Sequence, residues 1–283
     1  MNASSHAPSE NPDLHDFSGS LVLVGAGKMG GALLEGWLRF GLDPKKVAVV
    51  EPSPSPEIAT LSQRGVRLNP DRATLSRVTA VVIAVKPQVA AVALPVIAPM
   101  IAMSTVVISI MAGRTLQFLS DTLQRPCALV RAMPNLPASL GHGITVAVPR
   151  QASSAQRNLA DRLLRATGSV EWVADELLMD AVTAVSGSGP AYVFLLAEAL
   201  AQAGAAAGLP QALAEKLARE TVIGAGELLH RSGLGAAALR ENVTSPGGTT
   251  AAALKVLMDG NGLARLMREA VQAATDRSRQ LAG

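Results

Sequence analysis

The sequence contains very few aromatic residues and a single cysteine. Phe, Trp and Tyr make up 2% of the 283 residues, so side chains that stack on nucleic-acid bases are scarce. The formal net charge is only +3, and the basic residues are scattered among acidic ones. Both properties argue against a nucleic-acid partner. One cysteine, Cys127, excludes an internal disulfide and a metal site made of cysteines.

Motifs for metal binding and for secretion are also missing. The four histidines are far apart in the chain and none lies in an H-E-x-x-H pattern, so we expect no metal site. Residues 1–17 contain neither a basic segment nor an apolar run, which is unlike a signal peptide. We therefore expect a disordered tail over residues 1–19.

An uninterrupted membrane-spanning segment is absent as well, although residues 81–113 are strongly apolar. Lys86 and three prolines divide this stretch into pieces that are too short to cross a bilayer. Its two β-branched runs, 81–85 and 105–110, are instead typical of buried parallel strands. The sequence therefore predicts a soluble, cytoplasmic protein without a membrane partner.

Strand-like runs alternate with helical segments over the first half of the chain. This alternation is typical of βαβ units and predicts a doubly wound α/β sheet. A capped helix over residues 153–168, ended by Gly168, and a short strand over 169–173 follow the sheet strands. The expected sheet strands are 21–27, 46–51, 80–85, 105–110, 127–135 and 144–149.

Beyond about residue 175 the strand patterns stop and helical patterns continue. Breakers at 208–210 and 232–235 separate the helices. We predict an α/β domain of the nucleotide-binding type over residues 20–175, followed by an all-helical domain over residues 176–283. The expected helical runs are 176–207, 210–231, 235–242, 249–259 and 261–280.

A glycine-rich loop follows the first predicted strand. Gly25, Gly27 and Gly30 form a G-x-G-x-x-G pattern that opens a helix. Such glycines permit a tight turn, a close approach of a pyrophosphate to the backbone and close helix–strand packing, while the helix N-terminus attracts the anion. At the first β–α turn this pattern predicts dinucleotide binding, with purely structural glycines as the alternative.

The end of the second strand leaves the coenzyme preference open. Glu51 lies where an acid accepts hydrogen bonds from the ribose hydroxyls of NAD. However, Ser53 and Ser55 follow it, and hydroxyls with loop amides can instead receive the 2′-phosphate of NADP. A solvated loop acid without a binding role is the third interpretation of Glu51.

Two further motifs give weaker functional signals. Lys86 lies just past a strand, where it is either a catalytic base or, more simply, part of the edge of a cofactor cleft. The segment 186–190, SGSGP, is not a nucleophile elbow, because position 186 is a serine and no strand precedes it. A break between two helices explains this segment better, so a hydrolase is poorly supported.

The segment Val243–Thr250 reads VTSPGGTT and interrupts the helical half of the chain. Pro246 and the two glycines cannot continue a helix, whereas the residues after them can. The amides of Gly248, Thr249 and Thr250 are then unpaired first-turn donors, which bind a carboxylate at the positive end of the helix dipole. A plain turn between helices is the alternative.

Taken together, these motifs resemble those of pyrroline-5-carboxylate reductases, the enzymes of the last step of proline biosynthesis. The resemblance covers about residues 21–250 and implies a Rossmann domain, a helical dimerisation domain and a homodimer or larger ring of dimers. It also implies NAD(P)H-dependent reduction of 1-pyrroline-5-carboxylate to L-proline. The matching stretches are GAGKMGGALLEG, AVKPQ, SIMAG, RAMPNLPASLGHG, DAVTAVSGSGPAY and VTSPGGTT, and the last two are the most specific.

The resemblance further implies which residues form the site. Thr250 is the catalytic candidate, because its hydroxyl would hydrogen-bond the ring nitrogen of the substrate, either orienting the ring or passing a proton. The substrate would contact Glu176, Ser245, Gly248, Thr249 and Thr250. The coenzyme, NADPH or NADH, would contact Gly25, Ala26, Gly27, Lys28, Met29, Gly30, Ser53, Val85, Lys86, Pro87, Ala112 and Asn135, to which the strand-end argument adds Glu51.

Two other functions are the alternatives to a pyrroline-5-carboxylate reductase. A β-hydroxyacid dehydrogenase relies on a lysine in a G-x-x-x-N-x-x-K motif, which the helical half lacks. A regulatory protein that senses NAD(P) without turning over a substrate would not require VTSPGGTT.

Neither Asn69 nor Asp71 aligns clearly with the asparagine that some family members use at the adenosine end. The sequence does not determine the coenzyme preference or the size of the oligomer.

Overall fold

Short runs of Val, Ile, Leu and Ala form the strands of one eight-stranded sheet. The strands lie in the order 3-2-1-4-5-6-7-8 by chain number, and each neighbouring pair is parallel except the sixth and seventh. This order confirms the doubly wound α/β sheet. The strands are β1 Ser20–Val24, β2 Val47–Val50, β3 Arg67–Leu68, β4 Val78–Ile83, β5 Val106–Ser109, β6 Ala128–Met133, β7 Gly143–Arg150 and β8 Gly168–Trp172.

The sheet belongs to one of two compact units in the chain. The computed structural model describes residues 11–75 and 77–282. Within these residues, the α/β unit contains 11–187 together with 275–282, and the helical unit contains Ser188–Ala274. The last strand, β8, ends at Trp172, whereas the α/β unit continues past the predicted boundary at residue 175 to Gly187.

Helices cover both faces of the sheet. The helices α1 and α5 pack on one face through Leu33, Trp37 and Leu163, and α3 and α4 pack on the other through Leu94 and Leu119. The Trp37 indole Nε1 also donates to the carbonyl oxygen of Leu163 at 2.8 Å. The helices of this unit are α1 Lys28–Arg39, α2 Pro56–Thr60, α3 Ala90–Ile97, α4 Leu116–Leu123, α5 Ser154–Arg165 and α6 Met179–Val182.

Strands covered on both faces contain apolar residues at successive positions. All four residues of β5 are buried, as are Ala80–Ile83 at the end of β4. The connector between them contains α3. The interpretation of residues 81–113 as buried strands with a helical connector is therefore confirmed.

The structure differs from the predicted strands in three respects. The strand β3 was not predicted, because two residues are too few to give a pattern. The strand β7 is antiparallel to β6, since only a short turn at Leu136–Leu140 joins them and a parallel neighbour needs a longer crossover. Gly168 does not end the preceding helix: α5 ends at Arg165, and Gly168 opens β8, where a Cβ would lie 2.0 Å from the Gly143 oxygen.

The predicted disordered tail is wrong for residues 11–19. Leu14 is completely buried, Phe17 is 3% exposed, and both belong to the core on the α1 side of the sheet. The Leu14 amide donates to the Phe40 carbonyl at 2.9 Å, just past the end of α1. These apolar contacts order the segment. The rest of the predicted tail, residues 1–10, lies outside the described residues.

The helical unit exposes much of its apolar surface. Its buried hydrophobic residues, within the part of the chain that the structure describes, are the small side chains Ala201, Ala214 and Ala218. Phe194 and Leu195 on α7 are each 62% exposed. Apolar surface of this extent typically marks an interface. The helices are α7 Gly189–Ala206, α8 Gln211–Arg231, α9 Ala236–Asn242, α10 Thr249–Leu257 and α11 Leu263–Ala282, whose last residues lie in the α/β unit.

The helical run is irregular at SGSGP, where Ser188 joins a π-helical turn to the start of α7. The predicted helical run 176–207 begins with a 3₁₀ turn at Glu176–Leu178 and continues through α6 to a π-helical turn at Thr183–Gly187. Pro190 then lies in the first turn of α7. The stretch Glu176–Ala206 is long and apolar enough to cross a membrane by length and composition alone, and 11% of its most apolar window is buried within the chain.

A capping box begins α5 and permits a first test of the fold. The Ser153 hydroxyl accepts from the Gln156 amide, and the Gln156 side chain accepts from the Ser153 amide. Ser153→Ala should lower the free energy of unfolding by about 0.5–2 kcal/mol, because the first turn loses its acceptor. The measurement is urea unfolding followed by circular dichroism. The control is Ser154→Ala at the exposed next position; equal destabilisation by both variants would contradict the capping role.

Candidate active site

The loops that follow the parallel strands meet at one edge of the sheet. Because β1 to β6 all point the same way, their carboxyl ends lie together, and ligands bind at this edge where the strand order reverses, beside β1. The predicted coenzyme residues all follow one of these strands. They are Gly25 to Gly30 after β1, Glu51 and Ser53 after β2, Val85 to Pro87 after β4, Ala112 after β5 and Asn135 after β6.

The three glycines of the first loop occupy positions with different steric requirements. Gly25 has a φ of +89°, and a Cβ there would lie 2.8 Å from the backbone of Ala84. A Cβ on Gly30 would lie 2.2 Å from the Gly25 oxygen. Gly27, by contrast, is exposed, and a Cβ would meet nothing within 4 Å. Packing therefore explains Gly25 and Gly30, whereas Gly27 leaves open space in front of the helix.

The N-terminus of α1 faces that space with unpaired amides. Gly27 is its N-cap residue, and none of the described side chains caps it. The first turn, which begins with Lys28 and Met29, also contains no acidic residue. First-turn amides have no acceptor within the helix, so this terminus is suited to an anion such as a pyrophosphate.

Glu51 is partly exposed and hydrogen-bonded to the loops at the same edge. Its Oε2 accepts from the Ala26 amide at 2.9 Å, and its Oε1 accepts from the Ser53 amide at 3.1 Å. Asn69 fixes the Glu51 backbone: the Glu51 amide donates to Asn69 Oδ1 at 2.9 Å, and Asn69 Nδ2 donates to the Glu51 carbonyl at 2.8 Å. Glu51 is therefore held in a defined position by the loops around it, whatever its role in binding. Asn69 was only an unaligned candidate in the sequence.

Arg114, which no motif in the sequence marks as functional, connects the loops after β4 and β5. The Arg114 Nη2 donates to the Pro87 carbonyl at 3.2 Å, and its guanidinium stacks over the Phe118 ring with 4.6 Å to the centroid. Lys86 and Ala112 are exposed beside this contact. A backbone carbonyl bound to a guanidinium holds the Val85–Pro87 turn in place.

Asn135 supports the loop after β6 with its side chain. Its Oδ1 accepts from the Ile144 amide at 3.0 Å, which connects the end of β6 to the start of β7. The side chain of this predicted coenzyme residue is thus also a structural hydrogen-bond acceptor.

A buried charge cluster lies beneath Glu176. The Arg131 side chain on β6 is 5% exposed, and its Nη1 lies 2.9 Å from Glu176 Oε1 and its Nη2 4.0 Å from Asp180 Oδ1. Glu176 Oε1 also accepts from the amide of Leu116, the first residue of α4, at 2.8 Å. Ser278 donates to Asp180 at 2.7 Å. Among the described contacts, Glu176, a predicted substrate contact, is therefore held through its Oε1.

The sequence contains a signal for this cluster in the strand β6. An arginine in the otherwise apolar strand ALVRAM requires a buried acidic partner, because a desolvated guanidinium is otherwise very costly. Among the described residues, no group of three or more His, Cys, Asp and Glu has the geometry of a metal site.

The segment VTSPGGTT forms a tight turn that leads into α10. Pro246 precedes Gly247, which has a φ of +71°, and the Gly248 amide donates to the Ser245 carbonyl at 3.0 Å. Proline followed by a glycine of positive φ is typical of a type II turn. Gly248 is the N-cap of α10, and none of the described side chains caps the helix.

The turn geometry changes the expectation for the Gly248 amide but not for the amides of Thr249 and Thr250. The Gly248 amide is not an unpaired donor, because the turn uses it. The first-turn amides of Thr249 and Thr250 do lack an acceptor within the helix. Ser245 and Thr249 are exposed, and Thr250 is partly buried, so hydroxyl groups surround the start of this helix.

Both parts of the chain are similar to known proteins. A family model described as pyrroline-5-carboxylate reductase dimerisation matches residues 176–281, and one described as NADP oxidoreductase coenzyme F420-dependent matches residues 20–113. The pyrroline-5-carboxylate reductase of Pseudomonas aeruginosa is 36% identical over 264 residues, covering 93% of this chain and 96% of that one.

Two solved structures share the fold and the sequence similarity. A pyrroline-5-carboxylate reductase from Coxiella burnetii has a TM-score of 0.85 at 34% identity, with 94% of this chain and 99% of that chain covered. A pyrroline carboxylate reductase from Plasmodium falciparum, with NADP bound, has a TM-score of 0.78 at 28% identity, with the same coverage of 94% and 99%.

The open space at Gly27 and the crowding at Gly30 allow a test of whether the loop binds the coenzyme. Gly27→Glu should weaken NADH binding by at least about a hundredfold, because a like charge enters the anion site of a helix N-terminus and such sites lose several kcal/mol. The fold should be preserved, since the added Cβ meets no atom within 4 Å. Fluorescence titration with NADH and a thermal melt measure the two effects.

The contrasting variant is Gly30→Ala, whose methyl group would collide with the Gly25 carbonyl. It should lower the melting temperature. Unchanged NADH affinity in Gly27→Glu would show that the loop does not bind the coenzyme.

Proposed function

The chain belongs to the pyrroline-5-carboxylate reductase family, and on that premise we propose how its residues divide the work of the reaction. It reduces 1-pyrroline-5-carboxylate to L-proline with NAD(P)H, the final step of proline biosynthesis. The observation that carries the proposal is that two of the helix N-termini without a side-chain cap among the described residues lie in glycine-rich motifs: α1 begins after Gly27 within GAGKMG, and α10 begins after VTSPGG.

The residues of the α/β unit fit a dinucleotide. The open space over Gly27 and the amides of α1 suit the pyrophosphate, and Glu51 with Ser53 suits the adenosine ribose. When bound, the nicotinamide supplies the hydride that reduces the C=N bond. We assign the backbone of Val85–Pro87, Ala112 and Asn135 to the nicotinamide half, with Lys86 at the edge of the cleft.

The residues of the helical unit fit the substrate carboxylate. In this proposal the amides of Thr249 and Thr250 donate to the carboxylate, with the positive end of the α10 dipole behind them. The Ser245 hydroxyl donates as well, and Gly248 keeps the turn narrow enough for close approach. Anion binding through backbone amides needs no cationic side chain.

Thr250 is the catalytic residue of the proposal. Its hydroxyl hydrogen-bonds the ring nitrogen and so orients the C=N bond for attack at C5. Protonation of that nitrogen makes the ring carbon more electrophilic, and the same hydroxyl can pass the proton. A hydroxyl suits both tasks because it donates and accepts.

Glu176 is the remaining substrate contact of the proposal. Arg131 and the Leu116 amide both use its Oε1, which leaves Oε2 to meet the substrate. The Glu176 side chain is 28% exposed, so it is accessible despite the buried ion pair. Arg131 and Asp180 act as positioning residues for it.

We also propose that the enzyme is a cytoplasmic homodimer or larger ring of dimers, with neither membrane nor nucleic acid as a partner. The exposed apolar side chains of the helical unit support a subunit interface. A family model named for dimerisation covers residues 176–281, which include the apolar stretch Glu176–Ala206. A second copy of the chain would cover that surface without a bilayer.

Thr250 allows a direct test of the reaction chemistry. Thr250→Val keeps the side-chain shape but removes the hydroxyl, and it should lower kcat by about tenfold or more, the scale of one positioned proton-transfer group. Thr250→Ser should recover most of the activity. The assay follows the loss of NAD(P)H absorbance upon addition of 1-pyrroline-5-carboxylate.

The comparison variant is Ser245→Ala, which should raise KM more than it lowers kcat, because carboxylate binding is used equally in the ground state and the transition state. Near-normal kcat in Thr250→Val would remove Thr250 from the catalytic role.

The oligomer has its own test. Phe194→Lys places a charge at the exposed apolar surface of α7 and should convert an oligomer into subunits of 29.1 kDa. Multi-angle light scattering measures the mass. Gln202→Lys, a polar position on the same helix, is the control. A wild-type enzyme that is monomeric at micromolar concentration would contradict the proposal.

A further inference from the structure

The Glu51 carboxylate has a fixed position at the coenzyme edge of the sheet. Both of its oxygens accept from backbone amides, Oε2 from Ala26 in the glycine-rich loop and Oε1 from Ser53 in the loop after β2. Each carboxylate oxygen has two lone pairs, so one acceptor position on each remains after these bonds. The side chain thus occupies loop amides while it can still accept from two hydroxyls.

Asn69 fixes the position of the Glu51 backbone. Its backbone is in the left-handed region with a φ of 44°, which asparagine tolerates better than most residues. Its amide donates to the Val49 carbonyl at 2.8 Å, and its side chain pairs with both the amide and the carbonyl of Glu51. Three hydrogen bonds therefore join Asn69 to the end of β2.

A ribose with free hydroxyls fits this arrangement. An acid in this place accepts from the 2′- and 3′-hydroxyls of an adenosine ribose. The amides of Ala26 and Ser53 keep the carboxylate from rotating away, so the acceptor geometry exists before the coenzyme arrives. Such preorganisation lowers the cost of binding.

A 2′-phosphate meets two obstacles in the same place. It adds about 1.5 to 2 negative charges at neutral pH, next to a carboxylate. The Ala26 and Ser53 amides, which could otherwise donate to it, are already used by Glu51. Among the side chains that the structure describes, none with a positive charge forms an ion pair with Glu51 to offset the repulsion.

We infer that Glu51 makes this enzyme favour NADH over NADPH, and that Asn69 is the positioning residue that holds Glu51 in place. The inference rests on the proposed function, because it concerns the coenzyme of the same reaction. It sets this chain apart from the Plasmodium falciparum relative, whose structure has NADP bound.

The test is calorimetric titration of the full-length enzyme with NADH and with NADPH, at one ionic strength and without substrate. Wild type should bind NADH at least about tenfold more tightly, a modest value for like charges placed side by side. Glu51→Ala should lower the ratio of the two affinities by at least about tenfold. Glu51→Gln, which keeps the size of the side chain, should change the ratio in the same direction.

Two further variants distinguish the effect of net charge from the effect of the position of Glu51. Glu57→Ala removes an exposed acid from the neighbouring α2 with the same change in net charge, and it should leave the ratio unchanged. Asn69→Gly removes the side-chain hydrogen bonds without backbone strain, because glycine accepts a positive φ. It should lower the ratio by less than Glu51→Ala does.

The outcomes distinguish this inference from the proposed function. If wild type bound NADPH as tightly as NADH, or if Glu51→Ala left the ratio unchanged, the inference would be wrong while the reductase assignment stood. If Asn69→Gly left the ratio unchanged, the positioning role of Asn69 would be wrong. If neither coenzyme bound to wild type, the proposed site itself would be refuted.

Discussion

The amides at the start of a helix have no acceptor within the helix, and the proposed binding of coenzyme and substrate depends on this property. In each half a glycine is the N-cap residue: Gly27 before α1 and Gly248 before α10. A glycine brings no side chain that could take the amides for itself. Each helix therefore leaves its first-turn donors and its positive dipole end available. In the proposed function these donors bind a pyrophosphate and a carboxylate, so that recognition needs few charged side chains.

Around α1, one loop amide is used by the protein itself, and the first-turn amides are left for the proposed ligand. The amides of the first helical turn stay free of described side chains, whereas the Ala26 amide one step earlier is taken by Glu51. A negative side chain next to an anion site would be unfavourable without such a donor. The arrangement keeps the carboxylate close to the loop and gives it a separate task from that of the helix.

The sheet and the main motifs could be predicted because their signals are local. Runs such as AVVIAV and TVVISI indicate buried strands on their own, and G-x-G-x-x-G and SPGG mark turns whose conformation few other residues allow. The parts that were missed depend on partners far along the chain. Leu14 and Phe17 are ordered by packing on α1 and β1, Glu51 is held by Asn69, and Arg131 is paired with Glu176 and Asp180. Propensity within a short window contains no information on such pairs.

The end of α11 has a consequence for how the chain is made. Residues 275–282 belong to the α/β unit, where Ser278 is buried and hydrogen-bonded to Asp180 beside Arg131. Because the chain is made from its N-terminus, residues 275–282 are synthesised after the whole of the helical unit, although they belong to the α/β unit. The α/β unit, whose strands are synthesised first, therefore cannot reach its final packing until these residues have been made. Until then the Asp180 carboxylate lacks the hydrogen bond from Ser278.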